Sequence, residues 1–325
     1  MSTARAAALL VEIFLVLPAL MAQSRDLTTI HVVSIPGRPL AIVAAEKQGF
    51  FARRGIAVKL DVMPNSTTLR KAITEGTADV AHAALDNAVA IAQSGIVIVI
   101  GGDVSFNELI AQSGTKSIED LRGKVLIVDA PDTAYALQLK KMLLQHGLNA
   151  GTDYQLKPMG TTPHRLEAMR SDKTYAASML SPPTSLLAKR DGFVSLGSTR
   201  DAIGPYQALG GFVRQPWAKQ NSDLLVRYLG AYIEGQRWLL DPAHKRQVIA
   251  LIMDEWKVPQ TVATETYRLM TGGWFQPDAR FDVDAFRTVL KLRADVEGEW
   301  GGNPPPLDNY YDPSFYDAAL SKLKQ

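Results

Sequence analysis

The sequence predicts a two-lobed α/β protein with parallel-rich sheets, helices on both faces of each sheet and a helical C-terminal tail. Three observations carry this. From Thr28 onward, short apolar strands alternate with amphipathic helices, the order that builds parallel sheets. Two stretches echo one another, EGTADVAHAALDNA from Glu75 and RSDKTYAASMLSPP from Arg170, each a helix end followed by a short strand that opens into a turn. After about Gln207 the pattern changes to four successive helices.

The elements follow in order. Ile30 and Val32 open a strand that Pro36-Gly37 breaks, and Pro39 suits the first turn of a helix that runs to Gly49. Val58, Leu60 and Val62 alternate as a half-buried strand does. Asn65-Ser66-Thr67 caps a helix through Glu75, which Gly76 ends. Val80 lies in the next strand, Asp86 starts a helix, and Ile96-Val97-Ile98-Val99-Ile100 reads as a strand buried on both faces. A second unit opens with a helical turn at Ile118-Glu119-Asp120-Leu121. Its strands lie near 124–128, 154–156, 175–179 and 193–196, and Asp132 caps a helix whose buried face is Ala136, Leu139 and Leu143. The tail helices span 222–240, 242–256, 259–270 and 282–297, with Asp241-Pro242 as a stop and restart. These boundaries give a first lobe of residues 27–113 plus 207–325 and a second of 114–206, and a cleft between lobes is the usual place for a ligand.

Composition narrows the function. The 325 residues are 46% hydrophobic and 21% charged, within the globular range. Lys and Arg number 35 against 33 Asp and Glu, so no basic excess points to nucleic acid. The absence of Cys removes disulfides, thiolate metal sites and cysteine nucleophiles. No cofactor or metal is expected, and neither HExxH nor a G-x-S-x-G elbow occurs. At the N-terminus, Arg5 precedes the apolar run 6–22, which ends in small Ala22. This is the pattern of a signal peptide, 1–22, removed before Gln23. The run carries Glu12 and falls short of the ~20 apolar residues that a membrane span needs. The expected product is an exported, periplasmic monomer that does not itself span a membrane.

Residues 44–56, AAEKQGFFARRGI, resemble a helix of type II periplasmic binding proteins, those of the sulfonate, taurine and thiamine-precursor (NMT1/THI5-like) carriers. Gly76-Thr77-Ala78-Asp79-Val80 is similar to their Gly-x-x-Asp-apolar strand start, and residues 117–124, SIEDLRGK, to the stretch that opens their second lobe. The resemblance implies a solute-binding component of an ABC importer that closes on a small organic solute and docks on a permease driven by ATPase subunits. The chain has no G-x-x-x-x-G-K-[ST] loop of its own, so that energy must come from partners. Enzymes of related fold that depend on a Cys, the thiamine-pyrimidine synthases and porphobilinogen deaminase, are set aside by its absence, and no catalytic residues are expected. A ligand sensor for a membrane partner is the other reading.

Clefts in such folds lie at the C-terminal ends of strands, where helix N-termini offer unpaired N–H groups. Five turns meet that description: 34–39, 65–68, 85–87, 131–135 and 181–184. They nominate Ser34, Pro36, Arg38, Asn65, Ser66, Thr67, Asp86, Asn87, Asp132, Thr133, Tyr135, Leu180 and Ser181, and Tyr206 and Gly211 join them where the chain is expected to cross back between lobes. Asn65, Asp132 and Ser181 serve equally as plain helix caps. Arg38, flanked by proline, is placed to grip a carboxylate or sulfonate through two parallel hydrogen bonds. Asp86 and Asp132 repel an anion and would instead pair with Arg38 or hold an amine. Family members often show Trp-Asp-Pro in the second lobe where Leu180-Ser181-Pro182 stands here, so Leu180 is expected to replace an aromatic wall and to admit a bulkier organic acid such as an aromatic carboxylate. A sulfonate, a thiamine-pyrimidine precursor and an amine are the other solute classes.

Overall fold

The computed structural model describes residues 27–324, so the expected signal peptide, 1–22, lies outside the described residues. The chain begins with β1 (Thr28–Ser34), α1 (Leu40–Lys47), the single turn α2 (Phe50–Arg53), β2 (Ile56–Val62), α3 (Ser66–Glu75), β3 (Val80–Ala84), α4 (Asp86–Ala90) and β4 (Ile96–Ile100). β1 lies parallel to β2, with Thr28 opposite Ile56, and parallel to β3, with Val32 opposite Val80. The Asn65 side chain accepts a hydrogen bond from the Thr68 N–H at 2.8 Å, and Gly76, at φ 77°, ends α3. The β-branched run of β4 is buried throughout: Val97 and Val99 enter the core on one face and Ile96 and Ile98 the core on the other.

The second sheet starts earlier than the expected boundary at 113/114. β5 (Glu108–Ala111) already belongs to it. There follow β6 (Val125–Val128), α5 (Ala134–Leu144), β7 (Gln155–Pro158), α6 (Thr162–Ser171), β8 (Tyr175–Leu180), α7 (Thr184–Arg190), β9 (Val194–Ser198) and α8 (Thr199–Ile203). Asp132 does not cap α5. Thr133 holds the N-cap position, while the Asp132 carboxylate takes Arg70 of α3 at 2.7 Å. A guanidinium offers a stronger, charge-assisted bond than a backbone N–H.

The chain returns through β10 (Leu209–Arg214) into α9 (Gln215–Gln220), α10 (Ser222–Leu240), α11 (Lys245–Trp256), α12 (Gln260–Leu269), α13 (Val283–Glu297) and α14 (Ser314–Lys322). The strand orders are β2-β1-β3-β10-β4 and β7-β6-β8-β5-β9. They are the same arrangement twice, with the echoed strands β3 and β8 at the two centres. β10 and β5 run antiparallel to both their neighbours, because each enters its sheet from the crossing point between lobes. Gly211, expected at the crossing, lies with Gly210 inside β10, where a side chain on Gly210 would strike the Ile100 carbonyl.

Helices cover both faces of both sheets. α1, α10 and α11 share one core with the first sheet and α3 and α13 the other, while α5 and then α6 with α7 cover the second sheet. Each fully buried large aliphatic side chain in these cores contributes ~1.5–3 kcal/mol. Among the described residues no helix is long and apolar enough to cross a membrane.

Candidate functional site

Two segments join the lobes, 101–107 outbound and 204–208 inbound, and they lie side by side as a short antiparallel pair. Ser105 N–H donates to the Tyr206 carbonyl at 2.8 Å, and Ala208 N–H to the Asp103 carbonyl at 3.1 Å. The Asp103 carboxylate accepts the Leu209 N–H at 2.7 Å, and Gln207 Nε2 donates to the Asp103 carbonyl at 2.7 Å. These bonds tie residues more than a hundred positions apart into one hinge.

Above the hinge lies a cavity of about 480 Å³ bounded by both lobes. The first lobe contributes the β1–α1 turn from Ile35 to Pro39, Ala84 at the end of β3, Tyr232 and Gln236 of α10, Glu255 and Trp256 of α11, and Trp274 with Phe275. The second contributes Tyr135 and Gln138 of α5, Thr162 and Leu166 of α6, and the turn Ser181 to Thr184. Phe106 and Tyr206 come from the hinge itself. The walls are thus largely apolar and aromatic with a few polar groups, the make-up of a small-molecule site.

The charges on these walls are unevenly matched. Arg38 lines the cavity, but Glu46 holds its guanidinium at 2.7 Å and Glu255 at 3.1 Å. The expected free anion clamp is therefore already occupied, because α1 and α11 each bring a carboxylate to the same turn. Arg170, at the rim, is held by Asp191 and Glu167. His82 is buried, hydrogen-bonded to the Tyr228 hydroxyl at 3.0 Å, and pushed by burial down to about 3, so it stays neutral. Asp103 is only 3% exposed and makes no ion pair among the described residues, and burial raises its carboxyl to about 7.

The structure brings only part of the expected set together. Pro36, Arg38, Tyr135, Ser181 and Tyr206 line the cavity. Ser66, Asn87 and Thr133, again with Pro36 and Tyr135, line an adjoining recess of about 20 Å³, room for about one water. The others lie off the walls. Ser34 is buried and holds the turn by donating to the Gly37 carbonyl at 2.8 Å. Asn65 is a cap and Thr67 points to solvent. Asp86 is neither free nor paired with Arg38, since α13 lays Arg293 over it at 2.6 Å. Asp132 is taken by Arg70. Leu180 points into the core beneath α6 and α7, so Ser181-Pro182-Pro183, not Leu180, forms that wall. Gly211 faces His82 and Ile100 within the sheet. Asp103, Phe106, Gln138, Tyr232, Trp256 and Trp274 also line the cavity, though no sequence motif nominated them. A charged residue directly after Gly101-Gly102 and a buried strand was the one available signal for Asp103.

Comparison with known proteins places this geometry. The model of the NMT1-like family matches residues 37–253. No curated protein matches the sequence. Among solved structures, a Bordetella bronchiseptica protein is 18% identical with a TM-score of 0.77 over 91% of this chain and 98% of that one. The ligand-binding component of an ABC-type import system from Staphylococcus aureus, solved with zinc bound, is 17% identical with a TM-score of 0.73 over 90% and 98%. The periplasmic aliphatic sulphonate-binding protein SsuA of Escherichia coli is 17% identical with a TM-score of 0.68 over 88% and 92%. The same fold also serves catalysis, as in a desulfurization enzyme that is 15% identical with a TM-score of 0.63 over 91% and 99%.

Proposed function

The chain belongs to the NMT1-like family, and from that premise we propose that it is the exported, periplasmic solute-binding component of an ABC importer. In this reading the monomer captures a small organic solute between its lobes and presents it to a permease whose ATPase subunits supply the energy. The observation that carries it is the hinge-floored cavity of about 480 Å³ walled by both lobes. A solute that touches both walls favours the closed arrangement by its differential affinity for it. Binding rather than catalysis is the role proposed, since the walls present an aromatic surface and the chain has no Cys nucleophile.

Aromatic walls favour a solute with a ring. An organic acid, the class first expected, would have to draw Arg38 away from Glu46 and Glu255. If it does, Arg38→Ala weakens an aromatic carboxylate by roughly tenfold or more, the scale of a lost hydrogen bond to a charged group. If the ligand does not use Arg38, the same change leaves affinity within about threefold. Calorimetric titration of both proteins with aromatic carboxylates, alkanesulfonates, pyrimidines and amines tests the reading. Failure of every class to bind contradicts it.

A further inference from the structure

We propose that the solute is an organic amine, held as its ammonium by Asp103 at the hinge and by the surrounding aromatic rings. The inference rests on the cleft-binding reading above and adds the ligand's charge and its anchor.

Asp103 is the one carboxylate on the cavity wall with no ion-pair partner among the described residues, and it is 3% exposed. Its Oδ1 accepts the Leu209 N–H and the Trp274 side chain also donates to the carboxylate, so neutral donors reach it but no cation does. Burying an acid without a counter-charge is costly, and an incoming ammonium would supply one. The titratable groups near it, Tyr232, Tyr135 and the neutral His82, supply no positive charge. The two cations on the wall are spent on other carboxylates, Arg38 on Glu46 and Glu255 and Arg170 on Asp191 and Glu167. Phe106 and Trp274 neighbour one another, with ring centres 6.3 Å apart; Arg200 lies over the Phe106 ring at 5.7 Å, and Trp274, Tyr232 and Tyr206 complete the aromatic surround. Ring faces attract a cation and repel an anion. An acid seated on this floor would face Asp103, whereas an ammonium would donate to it.

A matched set of bicyclic probes isolates the head group: tryptamine, tryptophol and indole-3-propionate, titrated calorimetrically into the full chain. The inference predicts that tryptamine binds about tenfold more tightly than tryptophol, and indole-3-propionate weakest. Asp103→Asn should remove the preference, bringing tryptamine and tryptophol to similar affinity. The wild-type ranking stands as evidence even if that variant folds poorly. Ala84→Trp fills the cavity and separates the two claims. If the probes bind, are lost in Ala84→Trp, and tryptamine shows no advantage, the amine inference is overturned and the cleft reading stands. If no probe binds at millimolar concentration, or all bind Ala84→Trp undiminished, both are overturned.

Discussion

Asp103 is a buried carboxyl walled in by Leu209, Tyr232 and the hinge. Burial raises its pKa to about 7, whereas in the unfolded chain it lies near the ordinary ~4. Between those values the folded state binds more protons than the unfolded one, so stability is full below about pH 4 and falls as pH rises to about 7. Asp103→Asn should abolish that fall, with its advantage in melting temperature over the wild type growing across the window. Parallel melting profiles for the two proteins would show that the carboxyl is not so buried. Such residues were not legible in the sequence, because their partners come from chain segments more than a hundred residues away. The cleft turns were legible, since Pro36, Arg38 and Ser181 follow strands and precede helices, and they do line the cavity. Asp86 and Asp132 were misjudged for a related reason: Arg293 and Arg70 reach them from other elements, 207 and 62 positions away.

At the scale of elements, periodicity carried most of the fold. The run 96–100 is a buried strand, the caps at Asn65 and Asp241 accept the backbone N–H groups of Thr68 and Ala243, and the tail helices fall close to the expected limits. The strands that escaped notice are β5, only four residues long, and β10, which opens Leu-Gly-Gly. Glycine weakens a strand in isolation, so its use here reads correctly only with the neighbouring strand in view: the Ile100 carbonyl needs the space. α10 makes a similar demand. Gly235 lets it lie against α1 so closely that an added Cβ would collide with the Ala41 carbonyl. Gly235→Ala should therefore destabilise the chain by about 1–3 kcal/mol, despite the better helix propensity of Ala. Chemical denaturation measures this, and a neutral or stabilising effect would mean that the two helices separate freely.

Across the whole molecule, one rim of the cleft is laced shut. Lys140 of α5 reaches Glu297 of α13 at 2.6 Å, Lys141 reaches Asp295 at 3.0 Å, and Arg70 meets Asp132 from the opposite lobe at 2.7 Å. Ala134 and Leu137 of the second lobe pack into the first lobe's core beside them. Part-exposed pairs contribute roughly 0.2–1 kcal/mol each, enough together to bias the lobe closure proposed above without locking it. Reversing both lysines, Lys140→Glu with Lys141→Glu, should widen the solution scattering envelope and weaken solute binding several-fold. Adding Asp295→Lys and Glu297→Lys should restore both. A scattering curve unchanged by the reversal would show that the apolar contacts alone hold that rim.

If the cavity between the lobes captures one small organic molecule, native mass spectrometry detects the intact complex. The chain from Gln23 and its Ala84→Trp form would each be incubated with a small-molecule extract of cells and weighed intact. A single one-to-one adduct is expected on the wild-type chain, one that denaturation releases as a small organic molecule and that Ala84→Trp lacks. No adduct on the wild type, or an equally abundant one on Ala84→Trp, would contradict it.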